Sequence, residues 1–335
     1  MAATHVHIIA EVGSVHDGSF GNALKLIELA AQCGADSVKF QTHLPEHETL
    51  REAPSPAYFN SEPRYDYFQR TGFSPDQWAK LKRHADTHHI GFLSSPFSAA
   101  AVDLLETVGV PCYKIPSGEV TNLPLLERVA QTGKPVLLSS GMSSWAELDA
   151  AAAVFTGSAE AGELTVMQCS SAYPCPPERV GLNVMREMAE RYGRPVGLSD
   201  HTPDAFSSFA AVAQGAVVIE KHLTFSRAMY GSDAALALEP AEFSYLVQGV
   251  RAIETMMQHE VDKDDLTPYR EMKAVFEKSI VARRPIPAGA TITRDMLDVR
   301  KPGTGIPARD IGQVVGKVAA HGISADSLVT PEDLR

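Results

Sequence analysis

Short apolar runs recur along the chain, and most of them are continuous rather than alternating with polar residues. Continuous runs are typical of parallel strands that are covered on both faces. Amphipathic segments ending at a glycine precede several runs, as expected for helices that close on a left-handed residue. The pattern predicts eight strands: Val6–Ala10, Ser37–Phe40, Gly91–Ser94, Cys112–Ile115, Val136–Ser139, Thr165–Cys169, Pro195–Leu198 and Val217–Lys221.

The segments between these runs carry sequence patterns that are typical of helix starts. Ser74–Gln77 and Ser144–Glu147 match the capping box, and Pro240 stands where a first helical turn would begin. Strand and helix therefore alternate, which favours an α/β fold of the (β/α)8 TIM-barrel type over an open doubly wound sheet. No GxGxxG sequence follows a strand, so the pattern does not indicate a dinucleotide site.

The pattern of the sequence changes after Glu260, where many residues are charged and apolar positions no longer recur at a regular spacing. We expect a barrel domain over residues 1–260, a linker over 261–278 and a small β-rich domain over 279–335. Strands are predicted in that last domain at Ser279–Ala282 and Thr291–Thr293. A module this small has little core of its own and is expected to dock on something larger.

Composition narrows the class of protein. The chain has 335 residues, 44% apolar and 21% charged, with a formal net charge of −11. This charge argues against a nucleic-acid or membrane partner, since both need a basic face. No apolar run approaches the ~20 residues of a membrane helix, and the first residues lack the basic start of a signal peptide. We expect a cytoplasmic protein with four reduced cysteines, of which Cys175 is the exposed one.

Polar side chains follow nearly every predicted strand, and a barrel would gather them at one mouth. Lysines, hydroxyls and backbone amides there suit a phosphate and a carboxylate, although each serine alone could equally be a cap or turn residue. Lys39 and Lys114 are the stronger signal, because burying a lysine is costly without a nearby anion. The set includes Glu11, Lys39, Gln41, Lys114, Ser117, Glu119, Ser139, Ser171, Tyr173, Ser199, His201 and His222.

His201 and His222 each close an apolar stretch and would emerge at the same edge of the sheet. Two imidazoles with open positions suit Mn²⁺, Fe²⁺, Co²⁺ or Zn²⁺. The spacing also allows one histidine to bind metal while the other is a satisfied buried group. Glu11 and Glu119 are candidates for binding sugar hydroxyls or handling protons. The remaining histidines considered are interpreted as non-catalytic: His5, His7, His84, His88 and His89.

A long irregular stretch, roughly residues 43–73, follows the second predicted strand. It could form a lid over the mouth, or a surface insertion packed by Tyr58, Phe59, Tyr65 and Tyr67.

Specific motifs occur in a fixed order along the chain: Ile9–Gly13, Gly34–Gln41, Ser94–Phe97, Lys114–Glu119, Ser140–Met142, Cys169–Pro174, Ser199–Thr202, Glu220–His222 and Leu238–Pro240. In this order they resemble the sialic acid synthase family of nonulosonic acid synthases, over nearly the whole chain. The tail, with Pro302–Gly305 and Val315–Lys317, resembles that family's antifreeze-like (SAF) domain.

The resemblance implies condensation of phosphoenolpyruvate with an N-acylated hexosamine and release of phosphate. It implies a divalent metal, usually Mn²⁺, held by His201 and His222, that polarises the sugar aldehyde. Glu119 matches an acidic residue that assists protonation or attack of water. Phosphoenolpyruvate would lie against Lys39, Lys114, Ser117, Ser139, Ser171 and Ser199, and the sugar against Glu11, Gln41, Tyr173 and Asp233.

The sequence departs from the family pattern at three positions on the sugar side. Val15 stands in place of an asparagine and Ala234 in place of a histidine. Lys301, with Arg300 beside it, replaces an arginine that the SAF domain offers to the acyl group. Lysine lacks the planar fork of arginine, so Lys301 is expected to bind that group differently or not at all. The family's tail reaches into the partner's barrel, which implies a domain-swapped homodimer.

N-acetylmannosamine is the default acceptor. The alternative is a legionaminic or pseudaminic acid synthase that uses a 2,4-diacylated 6-deoxyhexose. A remoter alternative is a non-catalytic sugar-binding barrel protein, which predicts a lost metal ligand or phosphate-binding lysine; neither is lost. A metal-dependent hydrolase on the same barrel ranks lower, because no HxH pair stands at the carboxyl end of a predicted strand.

Overall fold

A computed structural model describes residues 5–54, 62–157, 161–231 and 233–335. The chain divides into two compact units, Met1–His259 and Glu260–Arg335. In the part of the chain described, no helix is long and apolar enough to cross a membrane.

The first unit contains a closed barrel of eight parallel strands that follow one another in chain order, which confirms the predicted TIM-barrel fold. Five strands run farther toward their carboxyl ends than the apolar runs predict, because polar residues continue them. The strands are β1 His7–Gly13, β2 Ser37–Thr42, β3 Gly91–Pro96, β4 Tyr113–Ile115, β5 Val136–Ser139, β6 Leu164–Cys169, β7 Val196–Asp200 and β8 Val218–His222.

Helices occupy the connections between the strands. Ser74 and Ser144 form the predicted capping boxes, and Pro240 lies in a first helical turn, as expected. The helices of this unit are α1 Phe20–Gln32, α2 Pro45–Glu48, α3 Arg64–Thr71, α4 Pro75–Thr87, α5 Ala99–Val108, α6 Leu123–Ala130, α7 Trp145–Thr156, α8 Leu182–Tyr192, α9 Phe206–Ala213 and α10 Pro240–Gln258. The predicted helix-to-strand glycines all have positive φ: Gly34, Gly109, Gly133, Gly193 and Gly215.

The irregular stretch after β2 contains the short helices α2 and α3. Tyr65 and Tyr67 are buried there, whereas Tyr58 and Phe59 lie outside the described residues. The side chain of Phe68 stacks on His43 with ring centroids 3.5 Å apart. This stretch therefore packs beside the carboxyl ends of the strands, and its role as a lid stays a prediction.

Two apolar layers hold the barrel together. A large cluster fills the space between strands and helices and includes Ile8, Val38, Phe92 and Leu198. A small cluster fills the barrel interior, and burying one such side chain stabilises the fold by about 1.5–3 kcal/mol. Its buried members are Ile9, Leu93, Leu137, Met167 and Val218.

The second unit has its own small core around Ile280, Ile292 and Val329. Its antiparallel strands are β9 Ser279–Ala282 and β10 Leu297–Arg300, and its helices are α11 Arg270–Phe276 and α12 Ile311–Val314. The strand predicted at Thr291–Thr293 is wrong: Thr291 makes one isolated bridge to Val318. Thr293 instead begins a 3-10 turn, where its hydroxyl donates to Asp295, and the true second strand follows that turn.

Candidate active site

Alternation along the strands decides which side chains enter the barrel. Ile9 and Val218 belong to the interior apolar layer, so Glu11, Glu220 and His222 point inward above that layer, two or four residues further on. The same spacing places Lys39 and Gln41 of β2, and Ser199 of β7, inside. The barrel thus carries a polar layer at the carboxyl ends of its strands, where TIM barrels perform chemistry.

This polar layer lines a cavity of about 450 Å³. The predicted site residues on its wall are Glu11, Lys39, Gln41, Lys114, Ser117, Ser139, Ser171, Tyr173, Ser199, His201, His222 and Asp233. Glu119 is the predicted site residue of the first unit that does not line it. The fold therefore brings most of the site residues predicted from the sequence together in one cavity.

A buried carboxylate joins the two lysines at the base of the cavity. The Lys114 Nζ donates to Glu220 Oε1 at 3.3 Å, and Lys39 Nζ lies 3.8 Å from Glu220 Oε2. Ser199 Oγ donates to the same Oε1 at 2.9 Å. Lys39 also pairs with Glu11 at 2.7 Å. Both ammonium groups are thus held inside the barrel and face the same cavity.

The two carboxylates differ in proton affinity. Burial raises the pKa of Glu11, and the nearby charge of Glu220 raises it further, against the effect of Lys39. Burial also opposes ionisation of Glu220, but the charges of Lys114 and Lys39 prevail and lower its pKa to about 2. Glu220 is therefore a fixed anion, whereas Glu11 can carry a proton.

The two histidines lie side by side, with ring centroids 5.5 Å apart. His201 Nδ1 lies 2.8 Å from the Ser170 carbonyl oxygen. A carbonyl can only accept, so Nδ1 carries the hydrogen, and in the neutral ring Nε2 keeps its lone pair. His222 Nδ1 is buried without a hydrogen-bond partner among the described residues. Burial also lowers the pKa of His222 to about 4, so its imidazole is neutral and able to ligate a metal.

Serine hydroxyls form the side of the cavity next to the lysines. Ser117 Oγ and Ser139 Oγ are 3.1 Å apart, and Ser171 Oγ is buried without a hydrogen-bond partner in the described part of the chain. Gly141 closes this side, because a Cβ there would overlap the hydroxyls of Ser171 and Ser117. The missing side chain keeps both hydroxyls in place for a ligand.

Other polar groups line the rest of the cavity. Gln41 Nε2 donates to Glu11 Oε1 at 2.7 Å, and Asp233 Oδ2 accepts from the Ser14 N–H at 3.1 Å. The ring of Tyr173 lies 4.2 Å from that of His201. These groups offer both donors and acceptors, as binding a polyhydroxylated molecule requires.

Glu119 and Lys301 are the remaining predicted site residues. Glu119 ends the 3-10 turn Ser117–Glu119, and its Oε2 accepts from Asn122 at 2.7 Å. Burial raises the pKa of its carboxyl. Lys301 belongs to the second unit, where its Nζ lies 4.9 Å from the centre of the Phe276 ring. The roles suggested for both residues stay predictions.

Cys175 is buried, with 2% of its surface exposed, so the prediction of an exposed thiol is wrong. Its N–H donates to the His201 carbonyl oxygen at 2.9 Å, which folds the Pro-Cys-Pro loop against the end of β7. The four cysteines are all free thiols.

Sequence reasoning gave no role to a second buried ion pair, behind the histidines. Lys221 Nζ lies 2.8 Å from Asp200 Oδ2 and donates to the Thr202 carbonyl oxygen at 2.6 Å. Ser207 and Ser208 also donate to that aspartate. The pair alternates with Ser199, Glu220 and the histidines along β7 and β8, so it faces the helices. Its contacts fix the backbone on both sides of His201, and the alternation is the signal that could have revealed it.

Two family patterns match the chain. The NeuB family matches residues 26–262, and the SAF domain matches residues 277–335.

Individual relatives cover almost all of the chain. The N,N'-diacetyllegionaminic acid synthase of Campylobacter jejuni is 36% identical over 96% of this chain and 98% of its own length. The N-acetylneuraminate-9-phosphate synthase of Homo sapiens is 35% identical over 97% of this chain and 91% of its own. The crystal structure of a sialic acid synthetase from Leptospira borgpetersenii, in complex with citrate, has a TM-score of 0.71 at 29% identity, over 81% of this chain and 91% of that one.

Proposed function

This chain belongs to the NeuB family, the sialic, legionaminic and pseudaminic acid synthases, and we propose that it condenses phosphoenolpyruvate with an N-acylated hexosamine. The products are a nine-carbon sialic-type acid and phosphate, and one water is consumed. The observation that carries this proposal is the single cavity that combines two buried lysines, a row of serines and two adjacent histidines.

Phosphoenolpyruvate is placed against the lysine side of the cavity. Lys39 and Lys114 supply the positive charge for its phosphate and carboxylate, and Ser117, Ser139 and Ser171 supply hydroxyl donors. Ser199 lies beside them, with its hydroxyl held by Glu220. The unpartnered Ser171 Oγ supports this placement, because a buried hydroxyl without a partner is costly unless a ligand satisfies it. Glu220 holds both lysines apart and aimed before the anion arrives.

His201 and His222 are proposed as the protein ligands of a divalent metal, with Mn²⁺ the first candidate. The fit rests on the unpartnered His222 Nδ1 and on the hydrogen bond that frees His201 Nε2. When bound, such an ion would polarise the aldehyde of the open-chain sugar. Few protein ligands leave open positions for substrate, which suits this use.

The sugar is proposed to occupy the side lined by Glu11, Gln41, Tyr173 and Asp233. Burial raises the pKa of Glu11, which favours a role in proton transfer, and its carboxylate lies beside Lys39 at the boundary with the phosphoenolpyruvate side. Glu119 is kept as a second proton-handling candidate that would act from outside the present cavity wall.

N-acetylmannosamine is proposed as the acceptor to test first, because Ser14, Gln41 and Asp233 make this side polar, as a sugar with a free 6-hydroxyl requires. The second candidate is a 2,4-diacylated 6-deoxyhexose, the acceptor class of legionaminic and pseudaminic acid synthases. Identities of 36% and 35% to a legionaminic and a sialic relative do not separate these candidates.

We further propose that two chains form a domain-swapped homodimer in which each tail, with Lys301, serves the partner's barrel. The setting proposed is the cytoplasm, where free thiols such as these persist.

Product analysis by mass spectrometry tests the proposal. The chain is incubated with phosphoenolpyruvate and Mn²⁺, together with N-acetylmannosamine, a 2,4-diacetamido-6-deoxyhexose or no sugar. We expect a nine-carbon acid with N-acetylmannosamine. A product only with the diacetamido sugar would reassign the acceptor, and no product with either would favour the non-catalytic sugar-binding alternative.

A further inference from the structure

A second cluster of metal-ligating side chains lies on the outer surface, away from the cavity. Glu28 of α1 faces His84 of α4 and His88, the residue that follows this helix, and one ligand atom from each lies within 4.8 Å of the others. His84 and His88 are one helical turn apart, which places both imidazoles on one face of the helix. Their ring centroids are 4.6 Å apart.

We propose that Glu28, His84 and His88 form a surface site for a borderline divalent cation, with Zn²⁺ as the natural probe. Two imidazoles and a carboxylate are the donor set that zinc prefers when a fourth position is left to water. The oxygen-preferring ions Mg²⁺ and Ca²⁺ would find only one suitable side chain here.

The geometry is already close to what such an ion needs. Ligands about 2.1 Å from a tetrahedral ion lie about 3.4 Å from one another. His84 Nε2 and Glu28 Oε1 are 3.3 Å apart. His88 is exposed at the end of α4, so its ring can rotate toward the other two. The His84 Nε2 atom is buried beside Glu28 Oε1, so these two ligand atoms already face each other.

The framework beneath the cluster is rigid. Leu26 and Ile27 of α1, and Leu81 and Ala85 of α4, are completely buried in the main core. The cluster lies in the carboxyl-terminal halves of both helices, next to the starts of β2 and β3. It is therefore at the end of the barrel opposite the candidate active site, and an ion there would cross-link two neighbouring helices.

One neighbouring group competes with the ion. Lys25 Nζ donates to Glu28 Oε2 at 2.7 Å, so an ammonium neutralises the carboxylate that the ion would use. Removing this cation should strengthen metal binding, and removing an imidazole should weaken it. Changing a residue that only supports a ligand costs about 10–100-fold in metal affinity, so losing a ligand should cost at least as much.

The test is a titration of the metal-free full-length protein with Zn²⁺, followed by calorimetry, with Co²⁺ absorption as a second measurement. The variants are H84Q/H88Q, the milder H88Q at an exposed position, K25M, and H201A/H222A in the candidate active site. The matched control is H89N, which removes a neighbouring imidazole outside the cluster. Asparagine tolerates the positive φ of 54° at that residue.

We expect one Zn²⁺ equivalent to disappear in H84Q/H88Q, with unchanged binding in H89N. H88Q should bind that equivalent at least tenfold more weakly and K25M more tightly. H201A/H222A should keep it, so this result does not depend on the proposed active-site metal. Equal stoichiometry in H84Q/H88Q and the wild type would overturn the proposal, and so would equal losses in H88Q and H89N.

Discussion

Glu220 illustrates why single residues in this barrel have large effects. It is an anion buried among cations, and its charge is balanced by Lys114 and Lys39 rather than by water. Removing one partner of such a pair leaves an uncompensated charge and costs about 3–5 kcal/mol. A variant that lacks one of these lysines should therefore be compared with a variant that also lacks the charge of Glu220. This comparison separates the effect on catalysis from the effect on folding.

Lys114 is the residue through which the phosphoenolpyruvate side of the cavity can be tested. In Lys114→Met, kcat/KM for phosphoenolpyruvate should fall at least about 30-fold, because a buried charged contact contributes about 2–5 kcal/mol. The KM for the sugar should change little. Lys114→Met/Glu220→Gln removes the unpaired carboxylate, so it should fold normally and keep the phosphoenolpyruvate defect. Steady-state kinetics with each substrate varied would contradict the assignment if the sugar KM alone changed.

Gly141 leaves room for two of the serine hydroxyls proposed to bind phosphoenolpyruvate. An alanine Cβ would lie 2.5 Å from Ser117 Oγ and closer still to Ser171 Oγ, so both hydroxyls must move. We expect Gly141→Ala to raise the KM for phosphoenolpyruvate while the melting temperature falls only slightly. Gly312→Ala, where nothing lies within 4 Å, is the control. Unchanged kinetics in Gly141→Ala would remove these serines from the proposed site.

At the scale of elements, β1 is tied to the helix that completes the barrel. Asp36, before β2, accepts from the Ile8 N–H at 2.7 Å and from Arg251 Nη2 of α10 at 2.6 Å. Burial raises the pKa of Asp36, but these hydrogen bonds and one from His5 outweigh burial and lower it. An aspartate with a lowered pKa stabilises the fold above its unfolded value near 3.9, and this contribution is lost as the pH falls through the folded value.

Asp36→Asn should therefore be about 1.5–3 kcal/mol less stable than the wild type at pH 7. The difference should shrink below about pH 4, where the wild type loses its charged hydrogen bonds too. Urea unfolding between pH 7 and pH 3 measures this. Asp86→Asn, which breaks only an exposed pair with Lys82, should stay within about 0.5 kcal/mol of the wild type. A deficit that does not vary with pH would contradict the explanation.

The strands and their order could be predicted from the sequence because parallel strands are apolar on both faces, and because short turns mark where they begin and end. Polar residues such as Glu220 were harder to interpret. They continue a strand into the barrel interior, and their partners come from other strands. Cys175 and the Thr291–Thr293 segment were mispredicted for a related reason. Their surroundings depend on residues distant in sequence, which local patterns do not show.

The two lysines in the cavity are opposite in sign to the net charge of the whole molecule. The chain carries a net charge of −11, yet the proposed substrate phosphoenolpyruvate is an anion. Lys39 and Lys114 meet it locally, inside a cavity where charges are weakly screened. The net charge supplies no long-range attraction for this anion, so binding should depend on these two lysines.

The proposed swapped dimer gives the prediction at this scale. A chain with His222→Ala has a defective barrel and an intact tail. A chain that ends at residue 278 has an intact barrel and no tail. If each tail serves the partner's barrel, unfolding and refolding the two variants together should restore part of the activity. Each variant refolded alone is the control. Absence of activity in mixtures that contain mixed dimers would show that the tail acts within its own chain.

Phosphate is expected to leave phosphoenolpyruvate only when an acylated sugar accepts the three-carbon unit. The most direct measurement is phosphate release over time at fixed phosphoenolpyruvate and Mn²⁺, while the accepted sugar is varied. We predict no release without sugar, saturable release with it, and one phosphate for each nine-carbon acid formed. Release that is independent of sugar, or that exceeds the acid formed, would contradict the account.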